Sequence, residues 1–170
     1  GGHANTVEIA LDGNVVPVDT GFIVYNELNY PNLVALFRQL RVETVASEMS
    51  FGVSLDDGRL EYSGSNANGL FAQRRNSLRP RFWRMLSDIR RFYASANGYL
   101  ETIAGSCSIS ELLDRERYSK AFVEDHLVPM AAAIWSASRE DIRNYPADAF
   151  IRFFDNHGLL NLGQRPQWHT

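Results

Sequence analysis

The sequence predicts an α+β fold, and three observations carry that prediction. Two Asp-Gly turn signals in the first half of the chain are each flanked by short β-prone runs. From Ser77 onward, apolar residues recur at helical rather than strand spacing. The strands come first and the helices second, the order of an α+β protein rather than of an alternating parallel sheet.

Element by element, "TVEIAL" and "VVPVD" flank Asp12-Gly13-Asn14, where glycine supplies the positive φ that a tight hairpin turn needs. "FIVYN" is a further strand candidate. In "YPNLVALFRQL", Leu33, Leu36, Phe37 and Leu40 fall at i, i+3, i+4 and i+7, which predicts one buried helical face. Pro31 suits the first turn of that helix, where a missing N–H costs nothing. "SFGVSL" and "RLEYS" around Asp56-Asp57-Gly58 predict a second hairpin. "RPRFWRMLSDIRRFYASANGYL" predicts a long helix buried along Phe82, Leu86, Ile89 and Tyr93. "SISELLDR" opens with a capping signal, Ser108 or Ser110 ahead of Glu111 and Asp114. "SKAFVEDHLVPMAAAIW" predicts two helices, because Pro129 lacks the N–H and carries a ring that clashes one turn back. "PADAFIRFFDNHG" predicts a last amphipathic helix, opened by Pro146 and closed by Gly158.

Of 170 residues, 45% are hydrophobic and 22% charged, enough for one ordinary core. No apolar run approaches the ~20 residues that span a bilayer, and no basic-then-apolar leader is visible. The single cysteine, Cys107, has no intramolecular partner, which predicts a reducing, cytoplasmic setting. A net charge of −3 gives no global attraction to nucleic acid. The four histidines, His3, His126, His157 and His169, are scattered without metal-ligand spacing, so no metal site is expected. There is no G-x-G-x-x-G, P-loop, H-E-x-x-H, paired C-x-x-C or G-x-S-x-G. The residues therefore nominate no catalytic group.

Three stretches stand out. Seven arginines lie between Arg74 and Arg91, readable either as a basic surface for nucleic acid or anionic lipid or as the solvated face of an amphipathic helix. In "PVDTGFIVYN" an acidic residue and a glycine interrupt two apolar strand segments, which marks a bulge or the close approach of a ligand. "RPQWHT" places Trp168 at the end of the chain, where large aromatics are unusual; with the Gly-Gly start, this predicts a piece of a longer polypeptide.

The strings "GGHANTV", "PVDTGFIVYNELNYPNLVALFRQLRV", "LEYSGS", "LFAQRRN", "RFWRMLSDIRRF", "PMAAAIWS" and "RFFDNHGLL…RPQWHT" together resemble the bacterial FAD-dependent oxidoreductases of the flavin amine oxidase superfamily. The likeness runs over essentially the whole chain and implies an internal fragment of a two-domain flavoenzyme. A Rossmann unit with G-x-G-x-x-G and its acidic ribose partner would precede Gly1, and a second FAD segment would follow Thr170. By this resemblance Gly1-Gly2 is the dipeptide over which backbone approaches the cofactor, and His3 stands where arginine is common. Asp19-Thr20-Gly21-Phe22 is similar to the segment that passes beside the flavin ring. The implied cofactor contacts are therefore Gly1, Gly2, His3, Thr20, Gly21 and Phe22, with Asp19 pinning the loop by accepting backbone N–H bonds. Residues 1–28 would belong to the FAD-binding region. Residues 29–170, with 77–158 mainly helical, would form part of the substrate-binding domain. The implied substrate is a small molecule, an amine or an acyl chain. The isolated chain is expected to hold FAD poorly, to lack turnover, and to homodimerise through surface meant for its missing Rossmann partner. The rival expectation is a stand-alone binding domain that touches membranes peripherally through the Arg74–Arg91 helix.

Overall fold

A computed structural model describes residues 5–21, 24–103, 107–160 and 166–170. They form short antiparallel hairpins followed by helices, a mixed architecture that agrees with α+β. The chain divides into two compact units, Gly1–Met49 with Pro166–Thr170, and Ser50–Arg165. The first helix sits with the N-terminal strands.

In the first unit, β1 (Thr6–Leu11) and β2 (Asn14–Asp19) pair antiparallel from Leu11↔Asn14 to Thr6↔Asp19. The turn between them has positive φ at both Asp12 (50°) and Gly13 (81°), the geometry that matches strand twist in a two-residue hairpin. The pairs Val7↔Val18 and Ile9↔Val16 share one face with Leu11, and all five apolar side chains are exposed. The β3 strand (Tyr25–Asn26) and β4 (Ala46–Ser47) both pair with a strand at Trp168–His169, which lies between them. Trp168 is thus a buried residue of a central strand.

The helix α1 (Pro31–Leu40) begins at proline as expected and stops at Arg41, whose φ of 55° is left-handed. Its buried face differs from prediction: Val34 is buried, whereas Leu36 and Leu40 are 47% and 63% exposed. Periodicity located the apolar stripe, but within this unit the described packing centres on Tyr25, whose ring meets Phe37 edge-on at 5.3 Å. The stripe is wider than what covers it.

In the second unit, β5 (Gly52–Leu55) and β6 (Leu60–Ser63) form the other hairpin. Val53, Leu60 and Tyr62 point inward onto Phe82 and Met85 of α3 (Pro80–Thr102). A short helix, α2 (Ala67–Leu70), and a 3₁₀ turn at Arg74–Leu78 connect them. The buried line of α3 runs Phe82, Met85, Asp88, Phe92 and Ala96, with Leu86, Ile89 and Tyr93 half-buried. The predicted stripe was rotated because Asp88 lies inside. Its Oδ2 accepts the Ser119 N–H at 2.9 Å and its Oδ1 meets Arg91 at 3.1 Å, partners that make burial of a carboxylate tolerable.

The main core joins α3 to α4 (Ile109–Arg115) and the helices that follow it, with Phe92, Leu112, Phe122, Leu127, Phe150, Ile151 and Phe154 fully buried. Ser108, not Ser110, caps α4 in a reciprocal box with Glu111. The run predicted to split at Pro129 is instead one continuous helical path. It comprises α5 (Lys120–Phe122), a π-helical turn (Val123–Leu127) and α6 (Val128–Trp135). The sequence reading also missed α7 (Arg139–Asn144), a six-residue helix whose Ser138–Asp141 capping box was its visible signal. Finally α8 (Ala147–Asn156) follows Pro146 and ends before Gly158, which has φ of 65°.

Candidate functional site

Of the residues implied as cofactor contacts, Gly1, Gly2, His3 and Phe22 lie outside the described residues. Thr20 and Gly21 are described, and both close the base of the β1–β2 hairpin. Their backbone N–H groups donate to the same Asn5 carbonyl, at 2.8 and 3.2 Å. The Asn5 amide in turn donates to the Thr20 hydroxyl at 2.7 Å. These N–H groups are therefore spent and do not offer themselves to a phosphate. What Gly21 offers a flat ring is the absence of a side chain. Asp19 was expected to accept backbone N–H bonds; among the described residues its carboxylate accepts the Thr6 hydroxyl, 2.7 Å away across the hairpin.

One further feature of this unit bears on a ligand. Asn26, fully buried, holds the Asn29 N–H with its Oδ1 at 2.8 Å, while its Nδ2 has no acceptor among the described residues. A buried donor without an acceptor costs about 1–3 kcal/mol, which an external acceptor would relieve. The backbone N–H groups of Thr20 and Gly21, both bonded to the Asn5 carbonyl, form no phosphate cradle.

The second unit contains the most elaborate polar cluster, at the π-helical turn. Pro129 explains why the turn is there. A proline lacks an N–H and clashes with the carbonyl four residues earlier, here that of Asp125. Widening the helix, so that the Val128 N–H reaches back to Val123, relieves the clash but leaves the Asp125 carbonyl without its helical donor. The Tyr62 hydroxyl supplies one at 2.9 Å. That hydroxyl has a single proton, so its oxygen accepts from His126 Nδ1, also at 2.9 Å, and the network assigns the Nδ1–H tautomer. The His126 ring is then sandwiched by Phe122 and Tyr62 and met edge-on by Phe51. Burial, reinforced by Asp125, pushes the Tyr62 hydroxyl well above the ordinary tyrosine value.

The Asp125 side chain points the other way and is 4% exposed. It is gripped by Arg81 Nε at 2.7 Å and Arg59 Nη2 at 3.3 Å. Arg59 also holds Asp56 at 2.6 Å, the larger of the two influences that raise its guanidinium above its ordinary range. For Arg81 the Asp125 hydrogen bond is the main cause of an upward shift. Tyr62, Arg59 and Asp125 were not nominated from sequence, and Arg81 only as one of the arginines between Arg74 and Arg91. The available signal was a proline placed four residues after an acidic residue within an otherwise helical pattern.

Three arginines of the arginine-rich stretch have carboxylate partners. Arg81 is committed to Asp125, Arg84 lies 3.8 Å from Asp88, and Arg91 reaches Asp88 and lies 3.8 Å above the Tyr118 ring. His157 caps α8, its Nδ1 lying 2.8 Å from the Phe153 carbonyl. Among the described residues no group of His, Cys, Asp and Glu could hold a metal ion, and no helix is long and apolar enough to cross a membrane. No protein-family model matches this sequence, and no curated protein is significantly similar to it.

Proposed function

We propose that this chain is part of an FAD-dependent oxidoreductase in which the flavin takes up a hydride equivalent from a small amine or acyl-chain substrate. The observation that carries the reading is the segment at the base of the first hairpin. There Thr20-Gly21 follows an apolar strand face, Val7, Ile9, Leu11, Val16 and Val18, that lies open to solvent. An apolar surface of that kind on a soluble protein marks a place meant to be covered. Its neighbour in sequence is the string that resembles the flavin-side segment of the superfamily. The unsatisfied Asn26 amide in the same unit supports the same reading.

FAD, when bound, supplies the redox chemistry. The residues of this chain would contribute shape: Gly21 admits a ring edge, and the apolar hairpin excludes water beside it. No side chain is placed as a general base. Three of the four arginines of α3, Arg81, Arg84 and Arg91, have carboxylate partners, which weighs against the rival reading as a peripheral membrane module. The codons preceding Gly1 in the source gene test the proposal. A strand, G-x-G-x-x-G and a helix within about thirty residues are expected there. An unrelated or absent upstream coding sequence would sink it.

A further inference from the structure

The side of the Asp125 cluster that faces solvent is a cleft of about 280 Å³. The geometry points to a binding site in this cleft for a small organic monocarboxylate, gripped by the Arg59, Arg79 and Arg81 guanidiniums with its apolar body against Leu60, Pro80 and Phe82. This goes beyond the flavin reading and does not depend on it.

The charges supply the first part of the argument. Three guanidiniums line the cleft, and Asp125 lines it with them. Arg59 and Arg81 spend part of their capacity on Asp125 and Asp56, and Arg81 shares Glu124, 3.7 Å away, with Arg143 at 3.8 Å. Arg79 is different. It is half-buried, and its bonds among the described residues go to neutral oxygens, the Arg59 carbonyl at 2.7 Å and Asn76 Oδ1 at 3.3 Å. Both use Nη1, which leaves its Nε–H and Nη2 fork unspent. A half-withdrawn cation without a carboxylate is stabilised by an anion that reaches it, and a planar fork fits a carboxylate in bidentate fashion.

The walls and the floor supply the second part. Leu60, Pro80 and Phe82 provide an apolar surface beside the guanidiniums, so a bare inorganic ion would leave half of the cleft unmatched. The volume lies just under the roughly 300 Å³ at which ligand pockets begin, which excludes a dinucleotide and favours a compact acid. Three guanidiniums against the one Asp125 carboxylate attract an anion, and the apolar wall adds affinity only for a ligand that carries an organic body. The cleft therefore selects an organic monocarboxylate over a phosphate.

The test titrates phenylacetate into the full 170-residue chain at constant ionic strength, observing the arginine Nε–H signals by NMR. Inorganic phosphate and chloride are run in parallel. Saturable shifts at Arg59, Arg79 and Arg81 are expected with phenylacetate, and weaker binding with phosphate. R79Q should weaken phenylacetate at least about tenfold, a loss of one strong charge-assisted contact. R79K, which keeps the charge but not the fork, should fall between. Asp125 keeps Arg59 and Arg81 in both variants, and a thermal melt of each checks that the fold survives. Absence of saturable shifts in the unmodified chain overturns the site without reference to any variant. Phosphate binding as tight as phenylacetate, or an R79Q variant that is folded and binds unchanged, also overturns it. Flavin content is unaffected by any of these outcomes, so failure here is distinct from failure of the flavin reading.

Discussion

Tyr62 shows how one hydroxyl can hold a local irregularity in place. It donates to the carbonyl that Pro129 leaves without a helical donor and accepts from the buried His126 ring. Tyr62→Phe removes both bonds while leaving the aromatic packing, so it should cost about 2 kcal/mol by urea unfolding. The same residue sets an alkaline limit. Because burial raises its folded value, the phenol stays protonated in the native state after the unfolded chain has begun to lose its proton near 10.0. The stabilising difference is complete below that pH and is lost progressively above it. Tyr118 behaves alike, chiefly through burial and secondarily through the hydroxyl of Tyr99. The fall in stability above pH 10.0 should be shallower in Tyr62→Phe, by about 1.4 kcal/mol per pH unit. An equal slope in the two proteins would contradict the assignment. The role of Tyr62 was not legible in the sequence, because a tyrosine in "RLEYS" reads only as an inward strand residue and its partner lies 63 positions away.

At the scale of the element, the turn chemistry and the helix caps were legible, and the buried faces less so. Asp12-Gly13 and Asp56-Asp57-Gly58 are turns for the reason the residues declare, with positive φ at each of these positions. The α4 helix starts where Ser108 and Glu111 can cap each other. The faces of α1 and α3 were misjudged by about one position, in α1 because the apolar stripe is wider than what covers it, and in α3 because Ser119 and Arg91 hold the Asp88 carboxylate inside. The π-helical turn went unseen for a related reason: the penalty of Pro129 predicts a break, and only the distant Tyr62 makes a wide turn the better solution. A double-mutant cycle tests that account. In Pro129→Ala the restored N–H can reach the Asp125 carbonyl, so Tyr62→Phe should cost at least 0.5 kcal/mol less than it does beside proline. Additive costs would show that the two residues are not coupled. The α4 cap gives an acid-side expectation. Hydrogen bonds from the Ser108 backbone and hydroxyl hold Glu111 below its ordinary value of 4.5. Its contribution is therefore present above that pH and is lost as the pH falls through the lowered folded value. Glu111→Gln should remove that part of the acid dependence of the melting temperature and leave the neutral-pH spectrum unchanged.

For the whole molecule, the order of hairpins before helices was readable from local patterns, and so was the mainly helical character of the described residues between 77 and 158. The division at Met49/Ser50 was not, because it depends on Trp168–His169 inserting between β3 and β4, a pairing that no local pattern encodes. The Arg–Asp–Tyr–His cluster was not legible, because it is assembled from three separate segments, Arg59 to Tyr62, Arg81 and Asp125-His126. The open face Val7, Ile9, Leu11, Val16 and Val18 should drive self-association of this chain at high concentration. Ile9→Asp should shift its size-exclusion profile toward monomer without lowering its melting temperature, since Ile9 is already 47% exposed. A parent that is monomeric at every concentration would remove that role from the hairpin. The central claim, that this chain serves a flavin oxidoreductase, is tested most directly by the absorbance spectrum of the complete gene product purified from its host. The account predicts a yellow protein carrying FAD close to one per chain, bleached when substrate is added without oxygen. A colourless product that takes up no FAD when the cofactor is supplied would contradict it.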